Sequence, residues 1–414
     1  MSSQPPLPPW ALPAITWTLL QTLTGLTATF TPDTSRLRYL AALTTALLAY
    51  TFQLSIQTNF AGTRPSGPLV AMCWVNVLNA LDLLLLSRAS YSAQAVYLRA
   101  KEEKKDDATK TDRIRNLESP RAKIVFALIL PYNYRRIGTP WQISRLPTVA
   151  AGSNRLRFCW YSVAAGVVGV LLINTLTLSP YDSDLLLALG KLDTSKSVLL
   201  LPLRVLKGSS PFYDLWLQAR FTLSFGIITR AAITASYTAG AVVAVLLGAD
   251  PADWPPVAGS LGQAWTLQRL WGYSWHQTLR RPLSANATFL ASVLGFEPRS
   301  PGAHWIRVMF AFVGSGIVHA ACDMGFGILF ERSGGLVFFV LQILGLVVES
   351  VVQRIVARLG FSTDGWVARA VGYIWVATFL LWTTPVWINP ILVNIVKDGV
   401  NGMSPWLGLR PGRF

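Results

Sequence analysis

Residues 305–330 read WIRVMFAFVGSGIVHAACDMGFGILF, from Trp305 to Phe330. As a helix rising 1.5 Å per residue, this stretch is long enough to cross a hydrocarbon core of about 30 Å. His319 sits near its middle, with Asp323 one turn later. An ionisable pair at that depth is costly unless it faces a protein-lined or water-filled cavity, so it marks a functional site. On a helix Ser315, His319, Cys322 and Asp323 share one face. Gly314 and Gly316 beside them permit a neighbouring helix or a ligand to come close. The plainer reading of such a histidine is a structural hydrogen bond between helices.

Composition points the same way. The 414 residues are 52% hydrophobic and 14% charged, with a mean hydropathy of +0.42. Soluble domains carry about 25% charged residues, so this is a polytopic membrane chain. Its net charge of +16 would suit nucleic acid. The basic residues, however, fall in loops between apolar spans, the positive-inside pattern, so the partner is the bilayer and not nucleic acid. Cys73, Cys159 and Cys322 lie inside apolar segments with no metal or C-x-x-C spacing, and read as packing thiols.

The expected fold is an all-α bundle of about eight transmembrane helices with interfacial helices. Residues 1–10 are Pro-rich and expected to be disordered. No basic n-region precedes the first apolar stretch, so it is expected to be retained as a span. Three spans at 11–30, 37–57 and 69–88 fill residues 11–88, the third carrying Asn76, Asn79 and Asp82. Residues 89–156 form a soluble excursion with a solvated charge run, Lys101–Asp107, and an interfacial helix at Lys123–Leu130. Further spans are expected at 158–178, 222–248, 306–330, 335–358 and 367–389, within a core over 157–390, and 391–414 form a tail. The short apolar pieces Leu185–Leu189 and Val198–Val205 suit re-entrant or surface helices.

Fifteen Lys and Arg from Arg88 to Arg157 place that loop in the cytosol. With eight spans the 249–305 loop is then cytosolic too, and the sequon Asn286-Ala-Thr288 should stay unglycosylated. This second loop contains Trp271-Gly-Tyr-Ser-Trp-His-Gln-Thr-Leu-Arg-Arg-Pro-Leu-Ser284. Arg280 and Arg281 suit nucleotide phosphates, and Trp271 or Trp275 suits an acyl or substrate face. An interfacial belt meeting anionic lipid is the plainer alternative. His304, at the start of the His319 stretch, reads as structural. Nucleophile-elbow, zinc, P-loop and dinucleotide motifs are absent. Asn79-Ala-Leu-Asp82 is only a fragment of a diphosphate-binding repeat.

The W-H-Q loop followed by a membrane histidine resembles the membrane-bound O-acyltransferase superfamily. Within it the closer resemblance is to the wax synthase-like branch, which includes fungal O-acetyltransferases of terpenoid, meroterpenoid and mycotoxin pathways. Leu270-Trp-Gly-Tyr-Ser-Trp-His-Gln-Thr-Leu-Arg280 stands in place of F-W-G-R-R-W-H-Q-x-x-R, with Leu270 for the aromatic and Tyr273-Ser274 for two basic residues. Ser315-Gly-Ile-Val-His319 matches S-G-x-x-H, and the two histidines are forty-three positions apart. Arg136-Ile-Gly-Thr-Pro-Trp141 matches an R-G-I-G-x-x-W-type stretch, with Arg135-Arg136 where the family often has Arg-Gly.

The resemblance covers residues 130–390. It implies transfer of an acetyl group from acetyl-CoA, a co-substrate, to a hydroxyl of a lipophilic secondary metabolite at the endoplasmic reticulum, with no bound cofactor and no metal. His319 and His276 would be catalytic. Trp271, Trp275, Gln277, Arg280, Arg281, Ser315 and Asp323 would line the acyl-CoA and alcohol sites. A long-chain wax-ester or sterol acyltransferase is the nearest alternative, and a transporter with a His319–Asp323 proton relay is the alternative from another class.

Overall fold

A computed structural model describes residues 8–63, 65–103, 114–147, 154–176 and 211–397, without the side chains of 211–215, 217, 393 and 395–397. The apolar pieces Leu185–Leu189 and Val198–Val205, the charge run beyond Glu103, the first seven residues and the tail from 398 lie outside the described residues. The described chain is helical, with one isolated antiparallel bridge, Ala258 to His276, and no strand. Seven of the described helices are long and apolar enough to cross a membrane. They are Leu37–Phe60, Ser66–Leu86, Arg155–Leu176, Gln218–Leu246, Pro301–Gly325, Gly335–Arg358 and Trp366–Thr383.

The chain forms two compact units. The first comprises Met1–Ala61, Pro65–Ser144 and Thr278–Gly327. It contains α1 (Ala11–Phe30), α2 (Leu37–Phe60), α3 (Ser66–Leu81, running on through a π-helical turn, Asp82–Leu86), α4 (Tyr91–Glu103), α5 (Pro120–Ile129), α6 (Arg280–Val293) and α7 (Pro301–Gly325). Helix α1 is not among the seven spanning helices; six threonines and Gln21 interrupt its twenty residues. Thr16 and Thr24 bond the carbonyls of Leu12 and Leu20, at 2.8 and 2.9 Å, so their hydroxyls are satisfied within the helix.

Ser119 caps α5 by accepting from the Ala122 amide at 3.2 Å, and Ile124, Val125, Leu128 and Ile129 are exposed. Ser300 caps α7 in the same way, accepting from Ala303 at 3.1 Å with Pro301 in the first helical position. These signals start the helix five residues before the expected span of 306–330. Gly327, in the left-handed region at φ 84°, follows its end.

With no water to expel between helices in lipid, helices are held by close contact of small residues. A Cβ on Gly325 would lie 2.7 Å from the Ser66 carbonyl oxygen and 2.8 Å from Gly67 Cα, so α7 meets α3 backbone to backbone. Only glycine fits there. Gly314 is the looser contact, with Leu283 of α6 at 3.0 Å from the equivalent point.

The second unit comprises Gly62–Arg64, Arg145–Gln277 and Ile328–Phe414. It contains α8 (Arg155–Leu176), α9 (Pro211–Leu246), α10 (Gly335–Arg358), α11 (Trp366–Thr383) and α12 (Pro385–Lys397). Helices α8 and α9 pack as a pair. Between α9 and the end of the unit's middle segment, residues 249–277 form a structured, mostly non-helical run. It lies directly on α11: a Cβ on Gly372 would fall 2.1 Å from the Trp265 carbonyl oxygen.

Candidate active site

In the first unit, α7 carries Ser315, His319 and Asp323 at helical spacing. Ser315 and Asp323 are buried and His319 is half-buried. The Nδ1 of His319 lies 2.6 Å from the Ser315 carbonyl oxygen, one turn earlier. A carbonyl only accepts, so Nδ1 carries the proton and donates. In the neutral ring the basic lone pair is then on Nε2. Ser315 therefore acts on the imidazole through its backbone. The local bond both orients the ring and selects its tautomer.

Arg280 and Arg281 open α6. Arg281 is held in place: its Nε lies 3.1 Å from Asp82 Oδ2, and its Nη2 3.2 Å from Asp82 Oδ1. Arg136 donates to the same carboxylate at 3.0 Å, and to Asn79 Oδ1 at 2.7 Å. Both Arg136 and Asp82 have fully buried side chains. Burial pulls the Arg136 guanidinium down to about 10 against the opposing effect of Asp82, and at neutral pH it stays a cation.

Tyr134 donates to Asn76 Oδ1 at 2.7 Å, and burial pushes its phenol up, so it is a neutral donor. The polar residues at 76, 79 and 82 thus bind the 133–136 turn, where Arg136 adopts φ 56°. Their spacing of three along an apolar helix was the available signal. Asn286, the sequon residue, is buried and donates to the carbonyls of Leu78 and Pro282 at 3.0 and 2.7 Å.

In the second unit, Trp271 lies in a π-helical turn, Leu270–Ser274. Its indole donates to Gln342 Oε1 at 3.3 Å and packs edge-on or tilted against Phe338, Phe339 and Trp275. Gln342, fully buried, in turn donates to Thr383. Gln277 is buried as well. Its amide donates to the Val257 carbonyl at 2.8 Å, and its side chain to Arg145 at 3.2 Å. These bonds put Trp271 and Gln277 in the frame around His276, which is half-buried and bridged to Ala258.

Sequence reading missed two members of this frame. Arg230 of α9 donates to the carbonyls of Ser274 and Gly259 at 2.6 and 2.8 Å. Glu349 of α10 accepts from the amides of Leu267 and Gln268 at 2.6 and 3.2 Å, a carboxylate capping a single helical turn. Each charge lies in an apolar helix far along the chain from its partner, so no local pattern announces it. His304 is exposed, its ring edge-on to Trp305.

The model of the membrane bound O-acyl transferase family matches residues 254–341, which take in the 254–277 run, α6 and α7. The acetyltransferase ataH of Aspergillus terreus is 31% identical over 300 residues, which cover 70% of this chain and 96% of that protein. This chain belongs to the membrane-bound O-acyltransferase family. Family and helices together make it an integral membrane protein. It is also similar to the acetyltransferase spyB of Aspergillus fumigatus, 35% identical over 41% of this chain and 31% of that protein. The acetyltransferase aurG of Calcarisporium arbuscula is 35% identical over 38% of this chain and 39% of that protein. The matches to these last two thus span about a third of the relatives' own length.

Proposed function

We propose that the chain is a membrane-bound O-acetyltransferase of the endoplasmic reticulum. It moves acetyl from acetyl-CoA to a hydroxyl of a hydrophobic secondary metabolite of terpenoid or meroterpenoid type. The observation that carries this reading is the His319 Nδ1 bond to the Ser315 carbonyl, which puts the basic lone pair on Nε2. Nε2 takes the acceptor's proton as the alcohol oxygen attacks the thioester carbonyl. The C–S bond then breaks, and the imidazolium returns its proton to the departing CoA thiolate. No covalent enzyme intermediate is needed, because positioning both substrates supplies much of the acceleration. His276 hydrogen-bonds the thioester oxygen as charge develops there. In the His319 unit Arg280 contacts the donor's phosphates, Asp323 lines the substrate path and Arg281 braces its own unit. In the His276 unit Trp275 faces substrate, while Trp271 and Gln277 hold the His276 run in shape.

The relatives named as acetyltransferases support the short acyl group. The test uses microsomes containing the full chain, with labelled acetyl-CoA and, in parallel, labelled palmitoyl-CoA, offered to hydroxylated terpenoids and fatty alcohols. Label is expected to pass from acetyl-CoA into an apolar ester and to be lost with His319→Ala. Transfer only from palmitoyl-CoA, or equal transfer by wild type and variant, would overturn the reading.

A further inference from the structure

One end of the first unit holds a cavity of about 270 Å³ that the acyl-transfer reading does not use. Asp33, Thr34, Ser35, Arg38, Leu84 and Arg88 are among its walls. It therefore joins the turn between α1 and α2 to the π-helical end of α3.

Arg38 is its buried member, 1% exposed. Its guanidinium donates to Thr31 Oγ1 at 3.1 Å and to the carbonyls of Thr31, Ala28 and Leu84 at 3.0, 3.2 and 3.4 Å. All four acceptors are neutral. Among the described residues, no carboxylate is within ion-pair distance of it. Buried charges are ordinarily paired, as the contrast with Arg136 on Asp82 in the same unit shows. Arg88 adds a second cation to the wall, held at φ 47°, and Asp33 is the only acid there, so one positive charge is left over. The hydroxyls of Thr34 and Ser35 offer further donors beside the start of α2, whose dipole favours an anion.

Two features choose among anions. Arg88 begins the stretch with fifteen Lys and Arg, so this end of the unit belongs at the cytosolic interface. From the cavity, α2 runs away with Leu40, Leu43 and Leu47 exposed at helical spacing, a face suited to acyl chains. We propose that the cavity binds the phosphate headgroup of an anionic phospholipid, its acyl chains lying along that face. None of its wall residues is among those assigned to acyl transfer. Basic pockets at the cytoplasmic ends of membrane helices bind such headgroups.

The experiment is lipid retention, which needs no turnover and so fails or succeeds independently of the proposed function. The full chain is reconstituted in nanodiscs of phosphatidylcholine and phosphatidylinositol, released, and its bound lipids are read by native mass spectrometry. Phosphatidylinositol is expected to be retained in preference. Arg88→Gln, an exposed position, should lower that retention about fivefold, and Asp33→Asn should raise it. Arg99→Gln, outside the cavity and paired with Glu118, should leave it unchanged. Equal retention of both lipids, or undiminished retention in Arg88→Gln, would overturn the proposal. Displacement of the lipid by added CoA would overturn it too, assigning the phosphate site to the acyl donor instead.

Discussion

The two histidine segments are built in opposite ways. His319 stands on an uninterrupted helix, and a bond that orients its ring comes from its own backbone four residues earlier. His276 stands in a run with little regular structure, and its neighbours are consumed in holding that run together. Trp271 is fixed to Gln342, Ser274 to Arg230, and Gln277 to Val257 and Arg145. A helix satisfies its own backbone, so a single side chain placed on it is already oriented. A non-helical run inside a membrane protein must have its polar groups satisfied from outside. The motif around His276 is long because most of it is scaffold.

The comparison is sharpest at His319 itself. His319→Ala is expected to lower acetyl transfer by about 10²–10⁴-fold while leaving the melting temperature of the detergent-solubilised protein near wild type. A large loss of stability would show that the helix depends on the ring, and would break the contrast. Asp82→Ala should act the other way. It strands Arg136 as an uncompensated buried cation, costing about 3–5 kcal/mol, read as a lowered melting temperature before any loss specific to turnover.

Smaller effects are expected in the His276 frame. Glu349→Gln keeps the shape but weakens the cap on Leu267 and Gln268, a loss of about 1 kcal/mol. Trp271→Phe keeps an aromatic ring against Phe338 and Phe339 and gives up the bond to Gln342, again about 1 kcal/mol. Both should alter stability and the Michaelis constant more than the turnover number, measurable by melting curves and steady-state kinetics. A selective fall in turnover number for Trp271→Phe would return that indole to direct contact with substrate. Asn286→Gln should leave electrophoretic mobility unchanged, because the buried side-chain amide is already bonded to two carbonyls.

Much of this was legible in the sequence. Runs of apolar residues of spanning length gave the helices, because a bilayer imposes one length on all of them. The capping signals at Ser119 and Ser300 marked the true boundaries, which the expected starts at Lys123 and 306 missed. The expected start of the His319 helix was late because hydropathy, not Ser300-Pro301, set it. The site residues divided by how local their reasons are. His319 and Ser315 were visible as a pair because they are one turn apart. Arg281 was expected at phosphates, while the structure ties it to Asp82, nearly two hundred positions earlier. Glu349 and Arg230 went unnoticed for the same reason: their partners are defined by tertiary contact alone. The assembly of Thr278–Gly327 with α1–α5 is likewise a matter of helix packing that no local pattern encodes.

The tethered ring of His319 also bears on the direction of proton traffic. An imidazole that relays protons across a membrane accepts at one nitrogen and releases from the other, so its two ends face different compartments. Here one nitrogen is engaged by the helix's own carbonyl, which leaves Nε2 as the basic end of the neutral ring. On the proposed mechanism the ring therefore lends a proton site at Nε2 and recovers it there, while Nδ1 stays on the helix's own carbonyl.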